Sequence, residues 1–263
     1  MGPRLGRLLD RPALTALFND AFSDYLVPMR LDEEAFAAHV EINDIDLSAS
    51  PVAFDGDRPV ALALVAIRGG DAWIGGMGTV PSERRRGLGE AVLVAGLDDA
   101  RERGCRAAWL EVIDRNEPAV RLYERLGFRR ERDLIVWSLD GRDDASAPAR
   151  TPTVDDAHAW IAAHRPSREP WQRTDAALAG MRERRPLRAL AVDRDGAIAA
   201  AMIHDDTPTV MQIAARDEAS ATDLLRGRGV RMSNAPAGEP ASRALEALGA
   251  RMVARQHEMR IAL

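Results

Sequence analysis

Arginine and glycine residues stand close together in one short stretch, between an apolar run and a run with helical periodicity. A strand, a turn and a helix in this order suit an anion, because free N–H groups and the positive end of the helix dipole meet where the helix begins. Glycine permits a tight turn, and arginine donates charge-assisted hydrogen bonds to phosphate oxygens. The stretch therefore predicts a site for a diphosphate-bearing cofactor. It consists of Arg84, Arg85, Arg86, Gly87, Leu88 and Gly89.

The spacing within this stretch distinguishes between known phosphate-binding motifs. A Walker-type loop requires a lysine, and the chain contains none. A dinucleotide-binding fingerprint requires a third small residue where Val92 stands. The remaining pattern, R-x-x-G-x-G, is formed by Arg84, Gly87 and Gly89 and resembles the loop of the GNAT superfamily of N-acetyltransferases. The resemblance implies that the loop binds the pyrophosphate of acyl-CoA, and a solvated turn is the alternative.

A second motif lies further along the chain. Residues 105–113 predict a strand, residues 114–117 form a turn-and-cap cluster, and residues 118–126 predict a helix that ends at Gly127. Together they resemble the second GNAT signature, and the resemblance covers roughly residues 14 to 140. It implies that the strand splays away from its neighbour, that Asn116 binds the cofactor, and that Tyr123 lies near the departing sulfur.

Acetyl transfer requires a deprotonated amine, a polarised thioester carbonyl and a proton for the leaving thiolate. In the GNAT family, backbone N–H groups at a bulge of the fourth strand bind the carbonyl, which implies Gly78, Thr79 and Val80 here. Tyr123 is a candidate for the acid, since a phenol can donate a proton; an aromatic residue that only packs on the sheet is the alternative. Glu111 could act as the base through water, or could be a solvated strand residue.

Composition excludes several classes of protein. The formal net charge of −5 argues against general nucleic-acid binding, and no apolar run approaches the ~18 residues of a membrane span. The single cysteine excludes an internal disulfide and suits a reducing cytosol. The five histidines lack the spacing of metal ligands. We therefore expect a cytoplasmic protein without a bound metal, as a monomer or homodimer.

The pattern of apolar runs and turns predicts two domains of mixed α/β class. Residues 1–142 predict a mostly antiparallel central sheet flanked by helices, in the order β-α-α-β-β-β-α-β-α-β, although no first strand is evident before Leu14. Residues 143–150 are polar and rich in turn formers, as in a linker. Residues 151–263 predict a second domain of the same kind.

An internal repeat indicates the origin of the second domain. Residues 117–129 and 239–251 align without gaps, and eight of the 13 positions are identical. No R-x-x-G-x-G pattern occurs in the second copy, where Gly238 stands in place of Asn116 and Leu245 in place of Tyr123. The second domain is therefore predicted to be a degenerate GNAT-like copy that keeps the sheet and lacks the CoA loop.

The resemblance implies an N-acetyltransferase that uses acetyl-CoA as its co-substrate. The acetyl group would pass by direct attack to a primary amine of a small molecule or a peptide. A non-catalytic acyl-CoA sensor or a structural protein is the alternative. The sequence leaves a small amine, an amino acid, an antibiotic and a peptide N-terminus open as acceptors.

Overall fold

The computed structural model describes residues 4–6, 10–27, 29–141 and 149–263. The chain divides into two compact units. The first consists of Met1–Glu131 and His257–Leu263, and the second of Arg132–Gln256. Most of the predicted linker lies outside the described residues, and the domain boundaries at 142 and 151 stay predictions.

Among the described residues, five strands and four α-helices belong wholly to the first unit, and β6 begins there. They are β1 (Arg4–Gly6), α1 (Arg11–Ala21), α2 (Glu33–Ile42), β2 (Val52–Asp55), β3 (Arg58–Arg68), β4 (Asp71–Thr79), α3 (Leu88–Glu102), β5 (Ala107–Ile113), α4 (Glu117–Arg125) and β6 (Arg129–Leu139). The order agrees with the predicted one. Its first strand, β1, was not evident in the sequence and pairs antiparallel with β2.

The second unit contains the remaining elements and the start of β11. They are α5 (Val154–His164), α6 (Asp175–Arg184), β7 (Leu187–Arg194), β8 (Ala197–Asp205), β9 (Val210–Ala215), α7 (Glu218–Leu225), β10 (Val230–Pro236), α8 (Pro240–Ala247) and β11 (Arg251–Ala262). Strands β7, β8 and β9 form an antiparallel sheet, and β10 pairs antiparallel with β6. The predicted fold class, a mixed α/β fold with mostly antiparallel sheets, is confirmed.

Local sequence determines where the helices of the first unit begin. The Asp10 side chain accepts a hydrogen bond from the N–H of Ala13, and the Asp32 side chain accepts one from the N–H of Ala35. Such caps satisfy N–H groups that lack a partner inside the helix. Helix α1 then buries Leu14, Leu17, Phe18 and Ala21. Both caps therefore orient the helices whose apolar faces meet the sheet.

The repeated segments form the same local structure in both units. Helix α4 and helix α8 occupy equivalent positions in the repeat, and each ends before a glycine in the left-handed region, Gly127 and Gly249. The phosphate-loop region differs. Eight residues, Val80–Gly87, connect β4 to α3, whereas only Arg216 and Asp217 connect β9 to α7. The second copy thus lacks the loop, as its sequence indicates.

The C-terminal residues complete the core of the first unit. Met259 is 1% exposed and packs in the same apolar cluster as Tyr123 and Phe128. The backbone N–H of Leu263 donates to the carbonyl of Arg106 at 3.0 Å. Strand β11, which lies beside β5 in the sheet order β1-β2-β3-β4-β5-β11, brings these residues into place. The aromatic residues on and after α4 therefore depend on a segment that is remote in sequence.

Two methionines on β11 test this dependence. We expect Met259→Ala to lower the free energy of unfolding by about 2–5 kcal/mol, because it leaves a cavity in a filled core. Met252→Ala, at a position that is 52% exposed, should change it by less than about 0.5 kcal/mol. Urea denaturation followed by circular dichroism measures both. Equal effects would show that residues 257–263 do not support the core.

Candidate active site

Strands β4 and β5 pair over only part of their length. Their parallel pairing runs from Asp71 opposite Ala107 to Ile74 opposite Leu110. Beyond that point β4 continues to Thr79 and β5 to Ile113. The two strands therefore enclose a gap that begins beside Gly75 and Glu111.

Backbone N–H groups of β4 face this gap. The N–H of Val80 donates to the carbonyl of Val60 on β3 at 2.9 Å, and in an antiparallel pair every second residue makes such bonds. By this alternation the N–H groups of Val80 and Gly78 are directed at β3, whereas those of Thr79 and Met77 are directed into the gap. Of the three residues predicted to bind the carbonyl, only Thr79 presents its N–H group to the gap.

The bulge of β4 lies at Gly75, earlier than the predicted position around Gly78–Val80. Ile74 is opposite Val65 and Gly76 is opposite Leu64, so Gly75 is the extra residue. A Cβ atom at Gly75 would lie 2.3 Å from a ring carbon of Trp73, so only glycine fits there. The sequence-based position was wrong because the bulge depends on the register with β3.

Because the bulge inserts one extra residue, each side chain of β4 after Gly75 lies on the other face of the sheet than it would in a regular strand. A Cβ atom at Gly78 would lie 2.8 Å from the Cβ of Ala21 on α1. The Thr79 side chain faces the other way, since its Oγ1 lies 3.3 Å from the position of a Cβ at Gly89 on α3. The small residues of β4 thus allow α1 to approach closely, while the residues on the α3 side line the gap.

A cavity of about 800 Å³ extends from this gap to the start of α3. It brings together most of the predicted cofactor-binding residues, which are Gly78, Thr79, Arg84, Arg85, Gly87, Leu88, Gly89 and Asn116. Val80, Arg86, Glu111 and Tyr123 do not line it. The cavity also contains residues that the sequence did not assign to the cofactor, including Phe22, Tyr25, Met77, Arg115 and Arg125.

The start of α3 has the features of an anion site. Gly87 precedes the helix in the left-handed region, with φ of 76°, and no side chain caps the first turn. The first helical backbone hydrogen bond runs from Ala91 to Gly87. The N–H groups before Ala91 are therefore available to an anion at the positive end of the helix dipole.

The three arginines of the loop have different roles. Arg85 lines the cavity and, among the residues that the structure describes, has no ion-pair partner; the same holds for Arg115 at the other side. Arg84 instead makes two hydrogen bonds to the Asp24 carboxylate at 2.6 and 2.7 Å, and Arg86 is bonded to Glu83 and, at 3.3 Å, to Asp55. Arg84 and Arg86 are thus paired with carboxylates, and two of these, Asp24 and Asp55, lie far from the loop in sequence.

Asn116 lies where β5 gives way to α4. Its side-chain oxygen caps α4, accepting a hydrogen bond from the N–H of Ala119 at 3.4 Å, and its side chain also bonds the Tyr25 phenol. Burial raises the pKa of Tyr25, and the hydrogen bond with Asn116 acts in the opposite direction. Tyr25 therefore joins α1 to the far side of the cavity. In sequence it stands only in an apolar break after α1.

The two predicted catalytic residues lie on opposite faces of the sheet. Tyr123, on α4, packs edge-on against Phe128 with 5.8 Å between the ring centres. Burial strongly raises the pKa of its phenol, and Tyr25 adds to this effect, so the group stays protonated near neutral pH. Glu111 is the first residue of β5 beyond the paired segment, and its Oε2 accepts a hydrogen bond from the indole of Trp73 at 2.8 Å.

The described part of the chain holds no group of three or more histidine, cysteine or acidic residues suited to a metal ion. Within the same residues, no helix combines the length and apolar character needed to span a membrane. The sheet opens beside the uncapped start of α3, and the protonated phenol of Tyr123 lies on one face of it. Residues 12–128 match the model of the acetyltransferase (GNAT) family.

Known proteins similar to this chain include enzymes with different acceptors. The ribosomal protein bS18-alanine N-acetyltransferase of Escherichia coli is 36% identical over 90 residues, which are 34% of this chain and 61% of that enzyme's length. A mycothiol acetyltransferase of Thermobispora bispora is 45% identical over 64 residues, 24% of this chain and 20% of its own length. The fold is similar to that of a GCN5-related N-acetyltransferase from Sphaerobacter thermophilus, with a TM-score of 0.74 at 18% identity over 99% of this chain and 95% of that one.

Neighbouring arginines test the anion site. We expect Arg85→Gln to weaken binding of acetyl-CoA about tenfold or more, because it removes charge-assisted hydrogen bonds to the diphosphate. Arg86→Gln, a change of the same kind at a residue paired with carboxylates, should alter the Kd by less than about twofold. Calorimetry with acetyl-CoA measures both values. S-acetylpantetheine, which has no diphosphate, should bind both variants equally, and a selective loss for Arg85→Gln with that ligand would contradict the assignment.

Proposed function

We propose that this protein transfers the acetyl group of acetyl-CoA to a primary amine of a small molecule or a peptide by direct attack of the amine on the thioester. One observation carries the proposal. The gap between β4 and β5 and the uncapped start of α3 open into the same cavity. A ligand with a diphosphate at one end and an extended arm at the other matches this combination.

The residues present fit acetyl-CoA as a substrate. The N–H groups at the start of α3, together with Arg85 and Arg115, supply donors and positive charge for the phosphates. The N–H groups of Met77 and Thr79 offer the hydrogen bonds that an extended amide chain needs when it lies beside a strand. Leu122 and Ala119 line the α4 side of the cavity. No redox group or metal is required for this reaction.

The chemistry divides between two faces of the sheet. Glu111 would accept a proton from the acceptor ammonium, directly or through water, on the face that carries Trp73. The amine then forms a C–N bond to the carbonyl carbon, the nitrogen loses its second proton to water, and the C–S bond breaks. Tyr123, kept protonated by burial, would donate its proton to the departing thiolate. The positions of Glu111 and Tyr123 on opposite faces of the sheet support this division of roles.

The second unit would bind no acetyl-CoA. Asp217 caps the start of its α7, and the Asp217 carboxylate accepts a hydrogen bond from the N–H of Ser220 at 2.7 Å. Hydrogen bonds from backbone N–H groups hold the pKa of Asp217 below its usual range. The helix start thus carries its own anion, in the place where the first unit has an open glycine turn.

The acceptor class follows from amines that similar enzymes use. One relative acts on an alanine of a ribosomal protein, and another is a mycothiol acetyltransferase. Both a peptide N-terminus and a small-molecule amine therefore belong in the test. Purified protein is incubated with acetyl-CoA and a panel of both kinds, and thiol release is measured together with product mass. Binding of acetyl-CoA without turnover of any amine would favour the non-catalytic sensor instead.

Stoichiometry tests the assignment of roles to the two units. We expect calorimetry to find one acetyl-CoA bound per chain, because α3 begins at an open glycine turn, whereas Asp217 caps the corresponding α7 of the second unit. Asp217→Gly would remove the internal anion from α7 and serves as a matched change in the second unit. It should leave the stoichiometry at one, since the loop residues are missing as well. Two equivalent sites in the unmodified protein would contradict the proposal.

The two tyrosines of the chain separate chemistry from binding. We expect Tyr123→Phe to lower turnover roughly 10²- to 10⁴-fold, the usual contribution of a positioned general acid, while the Kd for acetyl-CoA stays near the wild-type value. Tyr25→Phe, which loses its hydrogen bond with Asn116, should mainly weaken acetyl-CoA binding. Steady-state kinetics and calorimetry measure these effects. Wild-type turnover in Tyr123→Phe, with chemistry rate-limiting, would return Tyr123 to a packing role.

A further inference from the structure

We propose that Trp73 is a positioning residue that holds the Glu111 carboxylate beside the opening of the gap through its indole N–H. This inference rests on the proposed function, in which Glu111 is the base. The Trp73 side chain is 2% exposed, and its Nε1–H donates to Oε2 of Glu111 at 2.8 Å. A hydrogen bond from a buried donor to a carboxylate is strong and directional, so the orientation of Glu111 depends on the orientation of the indole.

The bulge at Gly75 provides the space for this indole. The Trp73 ring fills the position that a Cβ atom at Gly75 would need, with ring carbons at 2.3 to 2.9 Å from it. Gly75 and Glu111 are also the first residues of β4 and β5 beyond their paired segment. Gly75 therefore both lies where the gap begins and leaves room for the Trp73 indole. In this way the position of the proposed base, Glu111, is linked to the position of the gap.

His39 on α2 contacts both Gly75 and Trp73. The Nε2 of His39 lies 3.2 Å from the Gly75 carbonyl, and the Asn43 amide nitrogen lies 3.3 Å from its Nδ1. An amide N–H can only donate, so Nδ1 accepts and Nε2–H donates to Gly75. This is the neutral ring, and burial lowers the pKa of His39 accordingly. The His39 ring also lies edge-on to Trp73, with 6.2 Å between ring centres.

A second tryptophan provides a matched control. Trp109 stands directly opposite Trp73 in the parallel register of β4 and β5. Its indole donates to the Asp71 carboxylate at 3.2 Å, and its ring lies 5.4 Å from the guanidinium of Arg260. Trp109→Phe therefore removes an indole donor from a carboxylate on the same pair of strands without touching the bond to Glu111.

The kinetic test uses the full chain and the best amine from the acceptor panel. We expect Trp73→Phe to lower kcat about ten- to hundredfold, the equivalent of one hydrogen bond to a charged group, with the KM for acetyl-CoA unchanged. The acid limb of its pH–rate profile should move to higher pH, because the ionised Glu111 carboxylate is no longer stabilised by the hydrogen bond from the indole N–H. Trp109→Phe should keep kcat within about twofold of the wild type. In a Glu111→Gln background, Trp73→Phe should cause no further loss, because the two changes act on one group.

A spectroscopic measurement covers the case in which Trp73→Phe does not fold. In the unmodified protein with ¹⁵N-labelled indoles, the Nε1–H resonance of Trp73 should shift as Glu111 titrates, and Glu111→Gln should abolish that shift. The resonance of Trp109 should not respond to Glu111→Gln. An Nε1–H resonance of Trp73 that ignores Glu111, or additive losses in the double variant, would overturn the positioning role alone. Absence of turnover with every amine would overturn the proposed function, and this inference with it.

Discussion

The end of the hydrogen-bonded pairing between β4 and β5, at Ile74 opposite Leu110, is the constraint on which the site depends. Two parallel strands that part inside a sheet leave backbone N–H and C=O groups without a hydrogen-bond partner on the neighbouring strand. Buried groups of this kind require a different hydrogen-bond partner. A ligand with amide groups along an extended arm can provide it. The opening is therefore both a defect in the sheet and the reason why a long, thin substrate can enter.

Several contacts keep the strands apart without help from a ligand. The bulge at Gly75 leaves room for the indole of Trp73 and shifts the alternation between faces for the residues of β4 that follow. On the far side, Asn116 caps α4, and its side chain interacts with the Tyr25 phenol beyond the end of α1. The Arg84–Asp24 pair connects the same end of α1 to the phosphate loop. The last two contacts join segments distant in sequence, so the opening depends on the tertiary structure as well as on the strands themselves.

The sequence predicts those parts of the site that short-range patterns control. Gly87 before α3 and Asn116 before α4 lie where the motifs indicate, because turn and cap preferences act over a few residues. The bulge was predicted around Gly78–Val80, three to five residues too late, since its position depends on the register with β3. Asp24, which pairs with Arg84, and Asp55, which pairs with Arg86, lie far from the loop in sequence. No local signal marks Tyr25 or Arg115 as lining the cavity, or the final strand as part of the first unit.

The division of the first unit into two segments has a consequence for biosynthesis. The ribosome completes residues 1–131 before it makes any of residues 257–263, so the whole second unit is synthesised while the first still lacks Met259. During that interval the apolar cluster around Tyr123 and Phe128 is open to water or to chaperones. Contacts between such distant segments also slow folding, because a long loop must close first. A prematurely terminated chain would carry the phosphate loop and both motif helices, yet not the finished core behind them.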